Sequence, residues 1–162
     1  DAGNLHFVRK LLVTFFALLT LPALAQVGET YVNARLGYSV SIPAGFVRQD
    51  QSDNGDGQAF AVPGHAIALR VWGGSAKDFS SEVTQRMTAD AAEGWRETYQ
   101  AVTPRWASWS AVSGGNIRYQ RMILLCDGQS YAALRAEYGT RDRIEMDPIV
   151  EKLVASMRGS TC

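Results

Sequence analysis

Residues Ile117–Tyr138 read IRYQRMILLCDGQSYAALRAEY, and this stretch decides the fold. Ile117, Tyr119, Ile123 and Leu125 fall on alternate positions, and so do Ala132, Leu134, Ala136 and Tyr138. Alternation with period two is the mark of a strand with one buried face. Between the two runs stands Asp127-Gly128, a tight-turn pair that lets consecutive strands fold back on each other. Ile117–Cys126 and Ser130–Tyr138 are therefore expected to form a long antiparallel hairpin, and the rest of the chain has to cover it.

Upstream, Tyr38, Val40 and Ile42 alternate with serines and are stopped by Pro43-Ala-Gly45, which predicts another half-buried strand. Gln58–Val62 and Ala66–Trp72, separated by Pro63-Gly64-His65, read as a second hairpin ended by Gly73-Gly74. Phe79–Tyr99 is rich in helix formers, with Ser80 or Ser81 as N-cap and Glu82 in the first turn. Its large apolar residues Phe79, Val83, Met87, Trp95 and Tyr99 are spaced by multiples of four, so the stripe drifts about 40° per step around a helix. A straight helix cannot bury both ends of it: either the helix bends or ends near Gly94, or Trp95 and Tyr99 pack on another element. Pro148–Arg158, with Asp147 as N-cap and one stripe of Ile149, Val150, Leu153, Val154 and Met157, is expected to be a closing helix, with Leu153 between helix and sheet. Strands, helix, strands, helix indicate an α+β fold, an antiparallel β-sheet flanked by helices.

The N-terminal part reads differently. Arg9 and Lys10 precede the apolar run Leu11–Ala25, which closes on Ala23-Leu24-Ala25, the pattern of a secretory signal peptide. The run is shorter than the roughly 20 residues that span a bilayer, and Pro22 interrupts it where a retained anchor would continue. Residues 1–25 are thus expected to be a cleaved signal and 26–162 a single domain, periplasmic or secreted, without stable membrane insertion. No lipid-attachment cysteine follows the run.

Lys plus Arg and Asp plus Glu each number 16, and removing Asp1, Arg9 and Lys10 leaves the remainder one unit negative. Nucleic acid needs a concentrated basic face and is an unexpected partner. In an oxidising compartment the two cysteines, Cys126 and Cys162, read as a disulfide pinning the tail; the alternative, a reactive thiol, needs a base nearby.

Asn33-Ala-Arg-Leu-Gly-Tyr-Ser-Val-Ser-Ile-Pro43, Val112-Ser-Gly114 with Tyr119 and Arg121, and Tyr138 with Asp147-x-Ile-Val-x-x-Leu-x-x-Ser156 resemble small exported bacterial domains of the PsbP-like or Mog-like fold. The resemblance covers most of Tyr31–Met157 and rests on strand entries, turns and a closing helix. It implies an α/β/α sandwich that serves as a binding or assembly module, with another protein as partner, and it transfers no catalytic residues.

Candidate chemistry is sparse. After cleavage His65 is the only histidine, in a turn where a solvated polar residue is ordinary, and no Gly-x-Ser-x-Gly elbow or histidine zinc set accompanies it. Asp50–Gly57 alternates oxygen ligands in the manner of a calcium loop, but the twelfth place falls on Ala61 or Pro63 where a Glu is required. No pair of carboxylates is selected by spacing, and neither a phosphate loop nor another cofactor motif is present. Trp106 and Trp109 have odd separation, so on one strand they face opposite ways; an exposed Trp beside Arg105 is the residue type enriched at protein interfaces, whereas a doubly covered sheet would bury both. The expectation is a non-catalytic protein-binding or assembly module with Trp106, Trp109 and Arg105 as candidate contacts. Its rivals are a periplasmic immunity protein against a secreted toxin and an envelope hydrolase using His65.

Overall fold

The computed structural model describes residues 28–50 and 53–160. The expected signal peptide and Cys162 lie outside the described residues. Ten strands and two helices follow in the order β1 (Glu29–Asn33), β2 (Tyr38–Ile42), β3 (Val47–Arg48), β4 (Gly57–Ala61), β5 (Ala68–Ser75), α1 (Phe79–Ala92), β6 (Arg96–Val102), β7 (Trp106–Ser113), β8 (Asn116–Leu124), β9 (Ser130–Gly139), α2 (Arg143–Ser156) and β10 (Arg158–Gly159), with a 3₁₀ turn at Thr140–Asp142 leading into α2. Seven strands form one sheet in the order β3-β4-β5-β9-β8-β7-β6, every pair antiparallel. A smaller sheet pairs β1 and β10 on either side of β2.

The hairpin anticipated from Ile117–Tyr138 forms the middle of the large sheet. β8 and β9 pair from Asn116↔Gly139 to Leu124↔Tyr131. Their turn is fixed by Asp127, whose carboxylate accepts from the Ser130 hydroxyl at 2.6 Å and from the backbone N–H of Ser130 at 2.7 Å and Gln129 at 2.9 Å. Gly128 supplies the left-handed φ of +66° that the turn needs.

Alternation along β9 divides the molecule into two cores. Ala132, Leu134, Ala136 and Tyr138 pack with Tyr38, Val40 and Ile42 of β2 and with Met146, Val150 and Leu153 of α2. On the opposite face Tyr131 and Ala133 pack with Met122, Trp109 and the Phe79 and Val83 of α1. The sheet is therefore covered on both faces, an α/β/α sandwich, and Leu153 is fully buried.

Three local expectations are corrected, and one alternative is decided. β5 does not stop at Gly73-Gly74 but runs to Ser75, because these glycines admit close neighbours: a Cβ at Gly73 would stand 2.8 Å from both Leu36 Cδ1 and the Tyr131 carbonyl oxygen. α1 is capped by Asp78, whose Oδ1 accepts from Ser81 N–H at 2.6 Å, rather than by Ser80 or Ser81. As one of the stated alternatives had it, the helix ends before Gly94, which takes φ +85° while Trp95 N–H donates to the Asp90 carbonyl at 3.0 Å, and the chain continues as β6, which carries Tyr99. α2 begins at Arg143, five residues before Pro148, which thus lies inside it instead of at its first position. The carbonyl that Pro148 leaves without a helical donor belongs to Ile144, a residue 91% exposed, where water reaches it.

Candidate functional site

α2 packs on β2 and β9, while the outermost strand on the same side, β6, is exposed at every position but Ala101. β6 pairs with β7 along one side only, so it forms an edge of the large sheet. Tyr99 is 50% and Val102 48% exposed, which makes this the apolar part of the surface around the expected contact residues. The sequence reading missed both, because Tyr99 was placed in a helical stripe and the register of β6 is broken by a bulge between Glu97 and Tyr99.

The three expected contact residues part company here. Trp109 is 2% exposed and donates from Nε1 to Asp90 Oδ2 at 2.9 Å, so it is a core residue and not a partner contact. Trp106, on the other face of β7, is half-buried under the Arg121 guanidinium, 4.1 Å from the ring centroid. Arg121 Nη1 donates to Ser108 Oγ at 3.0 Å, and burial holds its guanidinium below the ordinary arginine value. Arg105 is exposed in the turn before β7, where its carbonyl accepts from Leu124 N–H at 2.8 Å. Arg105 and Trp106 thus share one rim with Tyr99 on the α2 side of the sheet, whereas Val102, opposite Ala107 in the register, faces the α1 side.

Next to this rim a cleft of ≈ 320 Å³ runs between the β6–β8 surface and the start of α2, lined by Tyr99, Ser110, Tyr119, Tyr138, Arg143 and Asp147. Burial, followed by the Asp147 carboxylate, pushes the Tyr138 phenol up to about 12, so it stays a neutral donor at any physiological pH.

On the α1 face lies a cluster the sequence reading did not single out. Asp90, 4% exposed, accepts from Arg118 Nη1 at 2.6 Å through Oδ1, and from Trp109 Nε1 and Gln120 Nε2 through Oδ2. Arg118 also donates to Glu93 Oε2 at 2.9 Å and Glu137 Oε1 at 2.8 Å, and its guanidinium lies 4.1 Å above the Trp95 ring. The Glu93 carboxyl is held low by its bond to Arg118. These contacts fasten the end of α1 to β7, β8 and β9, and they leave no nucleophile paired with a base.

His65 stands exposed in the Pro63-Gly64-His65 turn, its N–H donating to the Val62 carbonyl at 3.1 Å. Among the described residues no group of three or more His, Cys, Asp or Glu is placed to hold a metal ion, and no helix is long and apolar enough to cross a membrane. Cys126 Sγ lies 3.2 Å from the Ser160 carbonyl oxygen, close to the end of the described tail.

No protein-family model and no curated protein sequence matches the chain. Solved structures do. Cyanobacterial PsbP (CyanoP) of Synechocystis sp. PCC 6803 superposes with a TM-score of 0.64 at 11% identity, covering 83% of this chain and 93% of its own. The Saccharomyces cerevisiae Ran-binding protein Mog1p gives 0.59 at 8% identity, with 82% and 95% covered. LpqN of Mycobacterium tuberculosis, involved in cell envelope biogenesis, gives 0.54 at 11% identity, with 83% and 91% covered. The chain has the PsbP/Mog-like fold. At such identities the likeness carries the architecture alone, so roles for residues of this PsbP/Mog-like domain have to come from its own surface.

Proposed function

We propose that this protein is an exported, non-catalytic binding or assembly module whose partner is another protein, held along β6 and the Tyr99–Trp106 rim. The observation that carries the reading is the edge itself: a seven-residue strand, exposed almost throughout, whose outer side pairs with no strand among the described residues and which carries the half-exposed Tyr99 and Val102. Natural proteins blunt such edges or use them, because an extended segment of another chain can add a strand there and seat alternate side chains on the flanking surface. Arg105 and the stacked Trp106–Arg121 pair supply the residue types that dominate protein interfaces. A Ran-binding protein, Mog1p, and a protein involved in cell envelope biogenesis, LpqN, share this fold, which supports a binding module here. Export rests on Arg9, Lys10 and the apolar run to Ala25.

The test is site-specific photocrosslinking in the native cell. A photoreactive side chain at Tyr99 or Val102 should give one adduct of defined mass, abolished by Trp106→Ala in a variant that melts normally, whereas the same group at Ile144, 91% exposed on α2, should give none. Absence of an adduct at both β6 positions, or an equal one at Ile144, would overturn the assignment. His65→Ala should leave function unchanged and stability within about 0.5 kcal/mol; loss of activity with folding intact would point to the hydrolase instead.

A further inference from the structure

The other face of the sheet, away from that rim, holds a second concave site. Antiparallel register places Arg70 of β5 directly opposite Arg135 of β9, with Ala59 of β4 on the far side of Arg70. Like charges directly opposite on neighbouring strands repel, and nothing in the packing of a sheet calls for them. α1 brings a third guanidinium: Arg86 lies 5.3 Å and Arg135 5.9 Å from the centroid of the Trp72 ring, one residue pair further along the same face. Beside them β4 offers little side-chain volume. Ala59 is small, and a Cβ at Gly57 would stand 2.7 Å from Trp72 Cα, so that position holds no side chain at all. The result is a cavity of ≈ 590 Å³, within the range of about 300–1,000 Å³ occupied by small-molecule sites.

The three arginines keep donors in reserve. Arg86 engages both Glu82 Oε1 and Tyr131 Oη at 2.6 Å through the single nitrogen Nη2, and its buried Nε has no hydrogen-bond partner among the described residues. Arg135 donates from Nε to Gln120 Oε1 at 3.0 Å, while the carboxylates of Asp90 and Glu137 stand off at 3.5 and 3.8 Å. Arg70 is exposed, and its side chain makes no hydrogen bond or ion pair among the described residues. Two carboxylates reach the rim; Asp56 is taken up by Arg35 and Asn54, which leaves Asp50 at the mouth. Guanidinium forks match carboxylate and phosphate oxygens bidentately. We infer that this cavity binds a small ligand through a carboxylate or phosphate group held by Arg70, Arg86 and Arg135, with its body against Trp72.

Two-dimensional NMR of the purified protein, following the arginine Nε–Hε and the Trp72 indole signals, tests this with inorganic phosphate in one titration and citrate in another. The expected result is a saturable shift of Arg70, Arg86, Arg135 and Trp72, with the dissociation constant raised at least tenfold in Arg70→Gln, a variant that removes no partner and should melt as the parent does. Arg158→Gln, at an exposed position of β10, should bind unchanged. Saturation by phosphate alone assigns phosphorylated ligands, by citrate alone polycarboxylates, and by both a general oxyanion subsite. No saturable shift with either anion, equal affinity in Arg70→Gln, or equal shifts at Arg158 would overturn the inference.

Discussion

Asp90 decides how α1 is held. It sits seven residues after Val83 and three after Met87, so it continues the buried stripe of the helix, and a carboxylate there faces the sheet instead of water. Read in sequence, an acidic residue in a helix passes for a solvated one; its spacing from Val83 was the signal. Asp90→Ala leaves Trp109 Nε1 and Gln120 Nε2 buried without an acceptor, while Arg118 keeps Glu93 and Glu137. The expected loss is therefore at the low end of the roughly 3–5 kcal/mol that breaking a buried charged pair costs, about 3 kcal/mol by urea unfolding; a change below about 1 kcal/mol contradicts the role. Tyr138 makes a second residue-scale prediction. Its phenol is raised from 10.0 to about 12, so above pH 10 the unfolded chain gives up this proton more readily than the folded one. Stability present below pH 10 should fall as pH rises towards 12, by on the order of 2 kcal/mol from this group, and Tyr138→Phe should flatten that part of the curve.

Elements were legible where period and turn chemistry agreed. The β8–β9 hairpin, β2 and the β4–β5 pair follow from alternation bounded by Asp-Gly or Pro-Gly, and tertiary packing keeps those choices because one face of each is buried. β6 was not legible: its residues are exposed on both sides, so no apolar alternation marks it, and only the drift of the Phe79–Tyr99 stripe hinted that the helix had to stop. The docking rim was half legible for the same reason, Trp106 and Arg105 by residue type and Tyr99 not at all. α2 was found by its stripe and misplaced by its proline, since Pro148 in a helix interior is disfavoured and its cost is lowered only by the exposure of Ile144. The stripe itself predicts well. Leu153, fully buried between α2 and the sheet, should cost about 2–5 kcal/mol as Leu153→Ala through lost transfer energy and the cavity left behind. A calorimetric unfolding midpoint unchanged from the parent would mean that α2 does not seal this core.

At the scale of the whole molecule the sheet has two faces and two closures, α1 on one and α2 with the small sheet on the other, and β10 is part of the second. β10 pairs Arg158 with Ser39 and Gly159 with Tyr38, and Ser160 N–H donates to the Gly37 carbonyl at 2.7 Å. The tail thereby runs past the β8–β9 turn, where Cys126 Sγ lies 3.2 Å from the Ser160 carbonyl oxygen. One residue separates Ser160 from Cys162 in the sequence, a short enough reach for the two sulfurs to be joined, and we propose that they are. Such a bond would close a loop of about 35 residues, for which the chain-entropy estimate is roughly 3–4 kcal/mol. Non-reducing peptide mapping of protein taken from the exported fraction should recover the Cys126 and Cys162 peptides as one mass. Reduction should lower stability by up to that amount and raise hydrogen exchange first in β10 and its partner β2, while the β6 rim, at the opposite edge of the large sheet from β3, keeps its crosslink. Two free thiols titrated in the native exported protein would sink the bond. The tail would then be held by β10 pairing alone, and Cys126 would again have to be considered as a reactive thiol.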